Sequence, residues 1–174
     1  MIDPTKFDFE TNRTVYSECL GDLCPNLEVK FVKECLKKNF TVFYVNVNKS
    51  AINTRENFLG SPNIQKLFLI DTVSKIPAND IDDNLVYLKN GESMCKLQIK
   101  IMDLWKKTDG KKILFFDCAE YLPILFDKTQ LAQFTNKMAR ELQKGIVFFS
   151  FLKNSLDPKD ELIIKHLFDE VIEM

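Results

Sequence analysis

A chain of 174 residues with 45% hydrophobic and 28% charged side chains has the length and apolar content of one ordinary domain and leaves little room for two. Its charges are interspersed and sum to −1, so no broad phosphate-neutralising surface is implied and nucleic acid is not the expected partner. No apolar run reaches the ~20 residues of a membrane span, and the acidic opening Met1-Ile-Asp-Pro-Thr-Lys-Phe-Asp-Phe-Glu10 lacks the parts of a signal peptide; a cytoplasmic location without a membrane partner is expected.

The first patterned segment is an acidic arm over 1–12, with Asp3, Asp8 and Glu10 beside the apolar Phe7 and Phe9, expected to pack on the domain or on a neighbour. Six runs rich in β-branched and aromatic residues then predict strands over 14–19, 41–47, 66–71, 112–117, 145–151 and 170–174, with a short additional strand around Tyr87. Helical periodicity places Leu27, Phe31 and Cys35 on one face after the first strand, and Met94, Leu97, Ile101 and Leu104 on one face before the fourth. A helix over about 128–143 aligns Leu131, Phe134, Met138 and Leu142, and another begins at the cap-and-proline pair Asp157-Pro158. The Pro, Asn and Asp cluster of 74–84 reads as a surface loop, and Met94, Met102 and Met138 read as core filler.

Val42-Phe43-Tyr44-Val45, Leu67-Phe68-Leu69-Ile70, Ile113-Leu114-Phe115-Phe116 and Ile146-Val147-Phe148-Phe149 are nearly continuous apolar runs, as a sheet buried on both faces requires. Strands alternating with amphipathic helices predict a single α/β domain over 1–174, a three-layer αβα sandwich with a mainly parallel central sheet.

The five cysteines, Cys19, Cys24, Cys35, Cys95 and Cys118, are odd in number and lie mostly in apolar runs, which predicts buried thiols rather than a disulfide scaffold. Four residues rather than two separate Cys19 from Cys24, and the one histidine, His166, is distant, so zinc is not expected.

From Tyr16 the chain runs strand, glycine-containing loop at Gly21, amphipathic helix, then the strand ending near Asn48; Lys112-Ile-Leu-Phe-Phe-Asp117 is an apolar strand closing on an aspartate. This order resembles the RecA/KaiC-like P-loop ATPases, with Asp117 in the Walker B position. Asp117-Cys-Ala-Glu-Tyr-Leu122 and Ser155-Leu-Asp-Pro158 also resemble an uncharacterised archaeal domain family, related to RecA and often attached to sensor proteins. The resemblance covers nearly the whole chain in element order, is weak in residue identity, and implies a RecA-like fold.

It also exposes what is missing. In the P-loop pattern G-x-x-x-x-G-K-S/T, Gly21 takes the first position, and the second glycine, the phosphate-binding lysine and the magnesium-binding hydroxyl fall on Asn26, Leu27 and Glu28. Pro25 removes a further N–H donor. The acidic pair that would hold the catalytic base falls on Asn48 and Lys49. Asp117 alone survives, and a strand-end carboxylate capping the following turn is the favoured reading of it.

The resemblance therefore implies a degenerate phosphate loop: no catalytic residue, no cofactor and no metal, in a regulatory or protein-interaction module. Its expected partner is another protein, either an active ATPase relative or a second copy of the chain. A nucleotide switch with a noncanonical site around Gly21 and Asp117 is the alternative. A small-molecule enzyme using Cys118 ranks third, for want of a histidine beside that thiol in sequence. His166 beside Asp169 is read as a surface residue rather than a base.

Overall fold

The computed structural model describes residues 6–9, 13–74, 84–88, 94–125, 127–142 and 144–174. Its centre is one seven-stranded sheet built from β1 (Arg13–Cys19), β2 (Thr41–Asn46), β3 (Leu67–Asp71), β4 (Leu85–Tyr87), β5 (Lys112–Asp117), β6 (Gly145–Leu152) and β7 (Glu170–Glu173). The spatial order is β4-β3-β2-β5-β6-β1-β7, and every pairing is parallel. Parallel strands need crossovers, supplied by α1 (Cys24–Lys37), α2 (Ala51–Glu56), α3 (Met94–Lys107), α4 (Leu122–Leu125), α5 (Lys128–Glu141) and α6 (Pro158–Lys165).

The continuous apolar runs divide by alternation. Val42, Tyr44, Ile113, Phe115, Ile146 and Phe148 point to the face covered by α1, where Phe31, Val32, Cys35 and Leu36 meet them. Phe43, Val45, Leu114, Phe116, Val147 and Phe149 point the other way, to Met94, Leu97, Ile101 and Trp105 of α3 and Leu131, Phe134 and Met138 of α5. Two cores separated by one sheet make the three-layer sandwich. Leu27 and Met102 pack at the margins, half-buried. Of the arm, Phe7 and Phe9 are buried on the α1 face against Phe31, with ring centroids 5.2 and 5.7 Å away, so these residues pack on the domain itself.

The predicted elements appear with boundaries moved by no more than two residues. Ser50, Asp127 and Asp157 cap α2, α5 and α6 through their side-chain oxygens. The short helices α2 and α4 carry too few turns for periodicity to reveal them. The 74–84 loop lies outside the described residues except at its two ends. Cys19, Cys24 and Cys35 are buried as expected, but Cys95 is exposed on α3 and Cys118 is only half-buried.

Gly145 opens β6 where the indole of Trp105 crosses the strand. A Cβ there would lie 2.2 Å from Trp105 Cζ2 and 3.0 Å from the Lys112 carbonyl oxygen. Trp105 is buried, stacks on Phe43 and carries the Lys112 ammonium on its ring, so it has no free direction to move. Gly145→Ala is expected to cost about 1–3 kcal/mol of overpacking, read as a lower urea midpoint with unchanged slope.

Candidate functional site

The connections leaving β1 and β6 run to opposite sides of the sheet, toward β2 and β7, so their carboxyl ends border the crevice where open α/β sheets bind ligands. Register brings Cys19 beside Leu152, and Asn46 between Asp71 and Asp117.

The segment that the sequence resemblance aligns with the phosphate loop is a tight 3₁₀ turn over Gly21–Leu23, running directly into α1. Gly21 has φ +40 and faces open space. The Leu23 N–H donates to the Leu20 carbonyl and the Cys24 N–H to that of Gly21, while Pro25 has no N–H. These three positions offer an anion no free backbone donor, the opposite of what a phosphate cradle needs. Asn26 is exposed and Leu27 half-buried, whereas Glu28 turns inward and is only 2% exposed.

Glu28 sits in a buried polar cluster. The Cys24 thiol, one turn earlier on α1, donates to its Oε1 at 3.6 Å and lies 3.9 Å from Ser150 Oγ, which is 3.6 Å from Cys19 Sγ. Burial, followed by the charges of Asp117 and Cys24, raises the Glu28 pKa well above the ordinary carboxylate range. Tyr44 is raised as well, by burial and then by Asp117 and Glu28. The cluster thus favours a protonated Glu28 carboxyl.

Asp117 is fully buried at the end of β5. Its Oδ1 accepts the Cys118 thiol at 2.8 Å, and its Oδ2 has no hydrogen-bond partner but lies 3.9 Å from Lys49 Nζ. The expectation that Asp117 caps the following turn is corrected, because its bonded oxygen is taken by a thiol. Burial is the largest single influence and works against the charge of Lys49, but Asp117, Cys118, Glu28 and Cys24 together outweigh it and the ammonium pKa is raised. Lys49, assigned in sequence to a lost acid, thus stands at the site as an exposed cation, while Asn48 is half-buried with an unpaired Oδ1.

Cys118 occupies the left-handed region at φ +51, unusual for a residue with a Cβ. Burial and then the Asp117 charge push its thiol pKa up, the reverse of what activates a nucleophile. His166 is exposed at the end of α6, and Asp169 is engaged at the amino end of β1, accepting from the N–H and hydroxyl of Thr14. Neither reaches Asp117, which closes the opposite end of the sheet. Among the described residues no group of three His, Cys, Asp or Glu is placed to hold a metal ion, and no helix is long and apolar enough to cross a membrane.

Sequence reasoning missed Ser150, Cys24 and Tyr44 as members of the cluster, and a second buried network beside it. Asn46 Nδ2 donates to Thr54 Oγ1 at 2.5 Å, and Asp71 accepts from the N–H groups of Ala51, Val73 and Ser74. The signal for Asp71 was visible: like Asp117, it closes an apolar run on a carboxylate.

The raised Glu28 pKa makes a signed prediction. In the unfolded chain the group titrates near its ordinary value of 4.5, and in the fold it titrates higher. Below the ordinary value both states are protonated and nothing is lost. Above it the unfolded state releases a proton that the folded state retains, so stability falls as pH rises. Glu28→Gln, which keeps the shape without an ionisable proton, is expected to flatten the decline of thermal midpoint between about pH 5 and 8.

No protein-family model matches the chain, and no curated protein matches it in sequence. Solved structures do. The flagellar accessory protein FlaH from Methanocaldococcus jannaschii is 14% identical with a TM-score of 0.62, covering 98% of this chain and 74% of its own. The uncharacterized protein PH0321 from Pyrococcus horikoshii, solved with an unknown peptide, is 13% identical with a TM-score of 0.68, covering 93% and 77%. A DnaB-like replicative helicase is 18% identical with a TM-score of 0.51, covering 84% of this chain and 40% of its own. At these identities the likeness is one of fold, and the chain has the RecA-like αβα fold, an open seven-stranded parallel sheet with helices on both faces.

Proposed function

We propose that the chain is a RecA-like domain that does not hydrolyse ATP and serves as a regulatory or protein-interaction module. The observation that carries this reading is the burial of Glu28 against Asp117, at the position that the sequence resemblance assigns to a magnesium-binding hydroxyl. A triphosphate there would meet a carboxyl and an apolar Leu27 instead of a hydroxyl and an ammonium. The turn before it holds its own N–H groups, and Asn48 and Lys49 provide no carboxylate base.

An interaction role is supported by the same end of the sheet. Leu23 after β1, Tyr121 and Ile124 after β5, and Leu152 at the end of β6 are all exposed, Ile124 by 76%. Exposed apolar groups gathered at one end of a domain suit contact with another protein, either an active ATPase relative or a second copy. PH0321, one of the fold neighbours, was solved with a peptide bound.

One observation favours a second reading. Lys49 is a cation beside Asp117 at the strand ends and could meet an anionic ligand in a noncanonical nucleotide switch. A thermal-shift panel of ATP, ADP and AMP with and without magnesium separates the two. The module reading expects no shift with any of them. A saturable shift lost in both Asp117→Ala and Gly21→Val would establish the switch instead.

A further inference from the structure

Cys19 is the last residue of β1 and Cys24 the first of α1, with only the tight turn of 20–23 between them. The turn is closed by backbone bonds from Leu23 to Leu20 and from Cys24 to Gly21. Both sulfurs lean on one hydroxyl, Ser150 Oγ, at 3.6 and 3.9 Å. The neighbouring Cys19, followed by burial, raises the Cys24 thiol pKa. Cys19 is fully buried and Cys24 is 9% exposed. Cys35, buried within α1, has no such partner described, and Cys118 is held by Asp117.

We infer that Cys19 and Cys24 form a dithiol that oxidises reversibly to a disulfide, stapling the turn that stands in the place of the phosphate loop. This goes beyond the reading of the site as an inactive ATPase and does not depend on it. The oxidant is a small disulfide such as oxidised glutathione. Cys24, the more accessible thiol, attacks as its thiolate, forms a mixed disulfide and releases one glutathione thiolate. Cys19 then attacks the Cys24 sulfur and releases the second. Two protein thiols are oxidised, one small disulfide is reduced to two thiols, and the two protons pass to the leaving thiolates. Because the folded site disfavours the attacking thiolate, oxidation is slow and is to be read at equilibrium, not as a burst.

The test equilibrates the full chain with graded mixtures of oxidised and reduced glutathione, beside a urea-unfolded sample that shows where the oxidant suffices. Thiols are trapped by acid and alkylated, and the chain is cut at Arg13 and Lys30 so that both cysteines fall in one peptide. The folded chain is expected to lose two alkylatable thiols, both from that peptide, with a mass loss of two hydrogen atoms restored by dithiothreitol. Cys24→Ser should abolish the loss, and Cys35→Ser should keep it. The inference is overturned if both thiols of the folded chain stay alkylatable in buffers that oxidise the unfolded one, or if the crosslink maps to another pair. Should Cys24→Ser fail to fold, the wild-type peptide map decides alone.

Discussion

Replacing Phe31 with alanine is expected to remove about 3–5 kcal/mol of stability, the range for deleting a fully buried aromatic ring that its surroundings cannot refill. Phe31 is wholly buried, and its ring centroid lies 4.4 Å from that of Phe148, 5.2 Å from Phe7, 5.7 Å from Phe9 and 5.8 Å from Phe115. These partners come from β6, the arm and β5, so one ring ties α1 to the sheet and the arm to α1. Collapse into the cavity is opposed by strands hydrogen-bonded on both sides. The effect reaches the site, because Glu28 lies one turn before Phe31 on the same helix. Urea unfolding should show the lower midpoint, and a Phe31→Leu variant should recover part of it.

Asp71→Ala is the second large change, expected to cost about 2–4 kcal/mol. The carboxylate is fully buried and accepts three backbone N–H groups, Ala51 at 2.7 Å, Val73 at 2.8 Å and Ser74 at 2.7 Å. It thereby holds the start of α2 and the turn after β3. Its removal strands the Ala51 donor in the interior, while the other two, less buried, regain water at lower cost. Asp71→Asn keeps one acceptor oxygen and should lose less. Asp117→Ala should cost less still, since Asp117 Oδ2 has no hydrogen-bond partner and its charge works against Glu28. The ordering of these variants in thermal unfolding distinguishes a strand-end aspartate that holds the backbone from one that does not.

The two aspartates also show how far the sequence could be read. Both close apolar runs, and the resemblance to P-loop ATPases drew attention to Asp117 alone; the hydrogen bonds make Asp71 the structural one. Element order and burial were legible because the continuous apolar runs Ile113–Phe116 and Ile146–Phe149 and the helical spacing in Leu131–Leu142 are local signals. Strand order was not, since β5 and β6 come to lie between β1 and β2 through crossovers that leave no local trace. The site was half legible. That the resemblance puts Leu27 and Glu28 where a lysine and a hydroxyl would fall can be read from spacing, but the inward turn of Glu28 toward Ser150, a lone polar residue in a phenylalanine-rich strand, depends on packing.

That this RecA-like chain does not hydrolyse ATP, as proposed above, is tested by single-turnover phosphate release with protein in excess over Mg-ATP. Release is expected to be indistinguishable from a protein-free control across neutral pH. Release above that control, lost in Asp117→Ala and unchanged in His166→Ala, would contradict it.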